Sequence, residues 1–528
     1  MGLPRIIKSL LKKGAYPEAP GSVTLLQTHI SYLLMTPLFV YKIKKPVNFG
    51  FLDFTTLKKR LYFCREEVRL NKRLAPGVYI GVVPVVKQKN AFKMEGKGAA
   101  VEYAVKMRRL KQENMLDFMI KNERIAPSVI KKVARAVSGF HKKAGSSPAI
   151  SKFGNLKVVR KNTEENFAQV LPFIGKTISD FRYREIRGYT GDFVGKNAGL
   201  FKERQKKGFI RDCHGDIHSE HISVTDGINI FDCIEFNRRF RYCDTVSDAA
   251  FLSMDLDFRG RGDLSRVYDR AYFSSSPDRK GDRKGRALLN FYKCYRAFVK
   301  GKVESFRLVE PEETEEDKKN AFLNAIRFFH LSHLYARGGY RPALIVVCGL
   351  VGTGKSTLSG ALKDKTGMCL LSSDIVRKRI FSIPNDRHIY ERFGRGIYSE
   401  GATERTYTAL LRDGQRLLES GRSVILDAAF SKRRYLEGAK KAAEKCGAFF
   451  FVIECGASGD TVKKRLRKRS MEKGAVSDAT WEIYKKQKVS FERIISPDMT
   501  AYTENPPEIL SGEAVKKLFT ERPRQSIK

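Results

Sequence analysis

The stretch Ala343–Leu358, ALIVVCGLVGTGKSTL, decides the fold of the C-terminal part of this chain. Five apolar residues, Leu344–Cys348, run into Gly349-Leu-Val-Gly352-Thr353-Gly354-Lys355-Ser356, and a helical pattern follows from Thr357. Buried strand, glycine loop and helix is the context in which G-x-x-x-x-G-K-[ST] cradles a phosphate chain. The glycines let the backbone curl so that successive N–H groups point inward, and the helix N-terminus adds partial positive charge there. On this reading Gly349, Gly352, Thr353, Gly354, Lys355, Ser356 and Thr357 surround a nucleoside triphosphate, expected to be ATP. Lys355 reaches the β/γ-phosphates, and Ser356 holds Mg2+ through its hydroxyl.

C-terminal to the loop, strand patterns at Met368–Ser372, Ser423–Leu426 and Ala448–Cys455 alternate with helical patterns at Ala402–Glu419, Leu436–Lys445 and Thr461–Arg469. Such alternation predicts a parallel sheet with crossover helices. Asp374 follows the second strand, at the carboxyl end where open α/β sheets bind ligands. There it can take a proton from an attacking hydroxyl, with Arg377 clamping an anionic group nearby. Asp427 ends an apolar strand, the position of a carboxylate that orients Mg2+ or its waters. Arg465 and Arg469 are four apart on one helix face, where arginines can close over phosphates and stabilise a transferring group. The plain alternatives are a solvated basic helix for the arginines and a helix N-cap for Asp374.

N-terminal to the loop, Leu38–Lys45 reads as a strand with Phe39, Tyr41 and Ile43 on one face and Lys42 and Lys44 on the other. Thr55–Leu74 reads as a helix with Leu57, Leu61, Cys64 and Val68 as its apolar stripe. Further strands are expected at Val78–Val86 and Ala100–Met107. Asp226-Gly227 between two apolar runs predicts a hairpin. Gly338-Gly339-Tyr-Arg-Pro342 then breaks the helical pattern. The expected organisation is therefore a domain over 1–337, a linker at 338–342, a P-loop domain over 343–520 and a tail at 521–528.

One hundred Lys+Arg against 58 Asp+Glu give the 528-residue chain a net charge of +42 and a pI near 9.9. Such a field attracts anionic substrates and admits nucleic acid as a partner; a solvated basic surface has the same composition. No run approaches the ~20 apolar residues of a membrane span, and no secretion signal is legible. Nine cysteines without a CxxC pair suit a reducing cytosol. The reading is cytoplasmic, without a membrane partner.

Asp374-Ile-Val-Arg377 after the second strand, with the later arginine-rich helix, resembles the small P-loop kinases of the polynucleotide kinase, gluconate kinase and zeta-toxin type. In that group an Asp-x-x-Arg handles the acceptor hydroxyl and an arginine-rich lid covers ATP. His214-Gly-Asp216-Ile-His218, followed by Phe231-Asp232, resembles the catalytic loop and metal-binding aspartate of aminoglycoside and choline phosphotransferases, whose fold is that of protein kinases. That resemblance implies Asp216 as catalytic base, Asp232 as Mg2+ ligand, and Lys42 on the ATP phosphates paired with Glu67. Five residues after Asp216, where the related enzymes carry a metal-binding Asn, this chain has His221, and imidazole suits Mg2+ poorly. The whole order resembles bacterial bifunctional aminoglycoside phosphotransferase-like/P-loop ATP-binding proteins. The fold class expected is α/β plus α+β: an N-terminal kinase-like domain and a C-terminal P-loop domain with a helix-flanked parallel sheet.

Three functional readings follow. The first is an ATP-dependent phosphotransferase whose P-loop half moves the γ-phosphate to a hydroxyl of a small molecule or nucleic-acid end. The second is a nucleotide-gated switch with slow ATPase activity. The third is an aminoglycoside-type phosphotransferase using the N-terminal half, against which a strongly basic protein repels polycationic substrates.

Overall fold

The computed structural model describes residues 3–275, 282–384, 395–470 and 480–520, apart from the side chains of Arg469 and Ser470. The expected tail at 521–528 lies outside the described residues. The chain forms two compact units, one of Met1–Ala168, Gly188–Asp255 and Val267–Arg296, the other of Gln169–Arg187, Leu256–Arg266 and Ala297–Lys528. These units do not follow the expected 338–342 boundary, because segments well before it belong with the P-loop.

The first unit carries a six-stranded antiparallel sheet, ordered β1-β2-β3-β6-β4-β5. Its strands are β1 Thr24–Gln27, β2 Ser31–Met35, β3 Phe39–Lys44, β4 Tyr79–Gln88, β5 Ala91–Met94 and β6 Ala100–Arg108. The expected strands at 38–45, 78–86 and 100–107 are β3, β4 and β6, while the short strands β1, β2 and β5 carry too little alternation to be read. One sheet face packs Leu34, Tyr41, Ile43, Val85 and Ala104 into a core with Ile7 and Leu10. The helix Leu57–Asn71 starts where the Thr56 hydroxyl accepts the Lys59 amide, and it buries Cys64 against Val105 and Tyr79. Further along, β7 Ile210–Asp212 pairs antiparallel with β10 Tyr242–Asp244, and β8 Ile222–Val224 with β9 Ile228–Ile230. The second pair is the hairpin announced by Asp226-Gly227.

The second unit holds a five-stranded sheet, all parallel, ordered β12-β13-β11-β14-β15. Its strands are β11 Ala343–Cys348, β12 Cys369–Ser372, β13 Val424–Asp427, β14 Phe449–Gly456 and β15 Met499–Tyr502. All six residues of β11 are buried, as the central strand of a doubly covered sheet requires. Helices cover both faces: Tyr407, Leu410, Leu418, Tyr435 and Ala439 pack on one side, Leu358, Leu362, Leu510 and Val515 on the other. The crossover helices are Lys355–Thr366, Glu400–Ser420 and Arg433–Lys445. The edge strand β15 and the helices Ser373–Ile380, Trp481–Ser490 and Pro507–Thr520 were not legible in the sequence. Among the described residues no helix is long and apolar enough to cross a membrane.

Candidate functional site

β11 delivers the chain to a tight loop at its carboxyl end. Gly349, Gly352 and Gly354 take φ values of +130°, +77° and +83°, in the region that disfavours a side chain. Gly349 is also sterically bound, since a Cβ there would stand 2.4 Å from the carbonyl oxygen of Cys455 on β14. The Thr353 hydroxyl donates to the Leu350 carbonyl at 2.7 Å, and Lys355 Nζ donates to the same oxygen at 2.8 Å. The lysine is thus folded back over its own loop. Beyond it, the helix Lys355–Thr366 aims its N-terminus at the cavity.

That cavity, of about 780 Å³, is lined by Gly352, Gly354, Lys355, Ser356, Thr357, Asp374, Arg377, Asp427 and Arg465. One concavity therefore gathers loop residues with carboxylates and arginines from three other parts of the sequence. Asp374 stands in the first turn of the helix Ser373–Ile380 and not at its N-cap, which is Ser372. Its carboxylate lies 3.4 Å from Arg377 Nη1. The Arg377 guanidinium lies 4.8 Å from the Tyr398 ring centre, and its buried Nε has no hydrogen-bond partner. Asp427 is buried at the end of β13. Arg465 donates from Nη1 to the Thr503 hydroxyl at 2.8 Å and from Nη2 to the Thr503 carbonyl. The Thr503 hydroxyl in turn donates to the Thr353 carbonyl at 2.7 Å, so the arginine is tied to the loop through one threonine. Arg469 falls in the helix Gly459–Ser470, but its side chain lies outside the described residues. Thr503, Tyr398 and Gln487, whose side-chain oxygen accepts the Val351 amide at 3.0 Å, carry no sequence signal of their own.

A second polar cluster lies in the first unit. Lys42 Nζ sits 2.9 Å from Glu67 Oε1 and 2.6 Å from Asp232 Oδ1. Lys44, two residues on and on the same face of β3, reaches Glu67 Oε2 at 2.7 Å and also Glu235. Glu67 thus serves two lysines; Lys44 and Glu235 were missed as partners, although the period of two put Lys44 beside Lys42. Burial works against the Lys42 charge, yet Asp232 and Glu67 hold its pKa well above the ordinary lysine value. Burial also opposes the Asp232 charge, and Lys42 overrides it, keeping that carboxyl below the usual range.

Loop 213–221 is pinned from beneath. Asp248 accepts the amides of His214 at 2.9 Å and Gly215 at 2.7 Å, and a ring nitrogen of His141 at 3.0 Å. His214 pairs Nε2 with the Phe231 carbonyl at 3.1 Å, while its Nδ1 accepts the Asp216 amide at 3.3 Å. His221 Nδ1 lies 3.0 Å from the Asp216 carbonyl, and its Nε2 is 3.6 Å from Asp232 Oδ2. The Mg2+ pairing expected for Asp232 fits this donor set poorly: one carboxylate oxygen is taken by the Lys42 ammonium, and the other lies 3.6 Å from an imidazole nitrogen.

Residues 344–494, which contain the P-loop and the lining carboxylates, match the family model AAA_33, described as an AAA domain. Over 466 residues, 87% of this chain and 88% of the relative, the sequence is 32% identical to uncharacterized protein Rv2004c of Mycobacterium tuberculosis strain H37Rv. The same figures hold for uncharacterized protein Mb2027c of Mycobacterium bovis. The chain belongs to the family of these mycobacterial proteins. Among solved structures, it is similar to a sugar kinase from Janibacter sp. HTCC2649, at 19% identity, 34% of this chain, 99% of that chain and a TM-score of 0.27. The APS kinase CysC of Mycobacterium tuberculosis, solved with AMPPNP and APS, gives 19% identity, 34% and 98% coverage and a TM-score of 0.27.

Proposed function

We propose that this protein is an ATP-dependent phosphotransferase whose reaction runs in the P-loop unit, with a hydroxyl as acceptor. The observation that carries the reading is the shared cavity: phosphate-binding loop, Lys355, a carboxylate–arginine pair and a buried strand-end carboxylate open into one space. In the reaction the acceptor oxygen forms a bond to the γ-phosphorus as the bond to the ADP oxygen breaks, and the acceptor proton passes to Asp374. Lys355 swings from the Leu350 carbonyl to the β/γ-phosphates, and Arg465 meets the charge on the transferring group. Ser356 and Asp427 are oxygen donors on the same cavity and fit Mg2+; bound there, the ion would neutralise phosphate charge. A nucleotide-gated switch needs no acceptor-side base, so the Asp374–Arg377 pair favours transfer. For the first unit we propose a phosphotransferase-like fold that binds ATP or a related ligand, supported by the Lys42–Glu67–Asp232 pairing.

Phosphate transfer from labelled ATP, screened over metabolites and 5′-hydroxyl oligonucleotides, tests this reading. Lys355→Ala should remove most turnover with the fold intact. Asp374→Asn should cost ~10²–10⁴-fold, the usual worth of a general base, while Asp216→Asn keeps most activity. Wild-type turnover in the Lys355 variant, or a dead Asp216 variant beside an active Asp374 variant, overturns the assignment.

A further inference from the structure

We propose, on the reading of the P-loop unit as an ATP-dependent phosphotransferase, that Gln487 contacts the terminal phosphate of the bound nucleotide. Its side-chain oxygen is fixed on the P-loop, and its amide nitrogen donates into the cavity. Gln487 stands on the helix Trp481–Ser490, which follows the arginine-rich helix Gly459–Ser470 in the chain. Ile483, Gln487 and Ser490 all line the cavity, and spacings of four and three residues put them on one helix face. The helix is anchored to the lid and to the loop. Tyr484 is buried in a cluster with Val462 and Leu466 of the helix Gly459–Ser470, against which Leu350 and Val351 of the P-loop also pack. Trp481 stacks on Tyr484 with ring centres 5.0 Å apart, and the Thr480 hydroxyl accepts the Ile483 amide at 3.4 Å at the start of the helix.

The orientation of the Gln487 amide is settled by one bond. Oε1 accepts the Val351 amide at 3.0 Å, and in a carboxamide only the oxygen can accept. The nitrogen is the other branch, about 2.2 Å from that oxygen by ordinary amide bond lengths. Among the described residues Nε2 meets no hydrogen-bond acceptor, although it carries two N–H groups. Its place along the loop indicates which phosphate it serves. Lys355 Nζ rests on the Leu350 carbonyl, one residue before Val351, and the motif sends that lysine to the β/γ-phosphates. An ammonium and an amide therefore start from adjacent loop residues. When nucleotide draws Lys355 off Leu350, Gln487 keeps its hold on Val351 and presents its N–H groups to the same end of the triphosphate. ADP lacks the group this donor serves, so Gln487 makes the site sensitive to the γ-phosphate.

Isothermal titration of the full-length protein with ADP and with non-hydrolysable AMPPNP, both with Mg2+, tests this role. The readout is the ratio of the two affinities in wild type, Gln487→Leu and Gln487→Glu. Leucine removes donor and latch without adding charge, whereas glutamate keeps an oxygen for the Val351 amide and removes only the donor. A hydrogen bond to a charged group is worth about 10–100-fold in affinity, so both variants should lower the AMPPNP/ADP ratio by that factor. A purely structural latch would instead make Gln487→Leu weaken both nucleotides alike, with the ratio unmoved. Simple repulsion would confine the fall to Gln487→Glu. Either result overturns the proposal, as does an unchanged ratio in both variants; circular dichroism checks that each is folded. A wild type that binds neither nucleotide overturns the ATP-site reading itself, which separates the two failures.

Discussion

His214 is fully engaged as a neutral imidazole: one nitrogen meets the Phe231 carbonyl, and the other accepts the Asp216 amide. Protonation would break the second bond inside a buried site. Burial accordingly lowers its pKa from 6.5 to about 4. Between those values the unfolded chain binds the proton and the folded one does not, so folding weakens as pH falls through that window. Stability carried by this residue is complete above about 6.5 and falls by up to about 3 kcal/mol on reaching about 4. Thermal unfolding followed from neutral to acid pH should show this loss, and His214→Asn should flatten the same interval. An unchanged slope in the variant would place the acid sensitivity elsewhere. Arg377, at the other site, illustrates the converse economy, because a buried Nε without a partner is costly unless a ligand completes it.

At the scale of the element, the P-loop is a backbone device, and its glycines differ in what they tolerate. Gly349 combines φ +130° with a carbonyl oxygen 2.4 Å from where a Cβ would stand. That oxygen belongs to β14, which is hydrogen-bonded to β11 and cannot yield. Gly349→Ala should therefore cost at least the 1–3 kcal/mol or so of a strained backbone and abolish ATP binding. Gly360 sits inside the helix Lys355–Thr366 with open space around it. There Gly360→Ala should stabilise by about 0.5–1 kcal/mol through helix propensity. Chemical denaturation and nucleotide titration of the pair separate local strain from a general intolerance of substitution.

At the scale of the whole molecule, the P-loop unit extends well before the P-loop. Arg327, on the helix Glu315–Ala336, donates to the carbonyls of Lys365 at 2.8 Å, Thr366 at 3.1 Å and Phe258 at 2.9 Å. Two of these carbonyls close the helix Lys355–Thr366, the end where positive charge is favoured. Burial pulls the Arg327 pKa down to about 9, a cost accepted because three carbonyls depend on it, that of Thr366 buried and the other two half-buried. Arg327→Ala in the full chain should thus destabilise by about 1–3 kcal/mol. A fragment beginning at residue 338 should be poorly soluble, since it also uncovers the face of the Phe449 and Phe519 rings that His330 packs against. A soluble 338–520 fragment with full-length thermal stability would refute this.

The nucleotide loop, its flanking strand and helix, and the alternating pattern behind the parallel sheet were legible in the sequence. Each is local: glycines, a lysine and a serine at fixed offsets dictate the backbone, and hydrophobic period dictates the elements. Asp374 and Asp427 could be picked out by their positions at strand ends, Arg465 by its spacing to Arg469 on one basic helix face, and Lys42 with Glu67 through resemblance. Only the tertiary structure brought Thr503 to Arg465, Lys44 and Glu235 to a shared Glu67, and Arg327 to a distant helix end. Those pairings join residues tens to hundreds of positions apart, and no periodicity records which of many charged side chains will meet. Their partners are chosen when burial forces each charge to find a counter-charge or a carbonyl, a choice that exists only after the chain has folded.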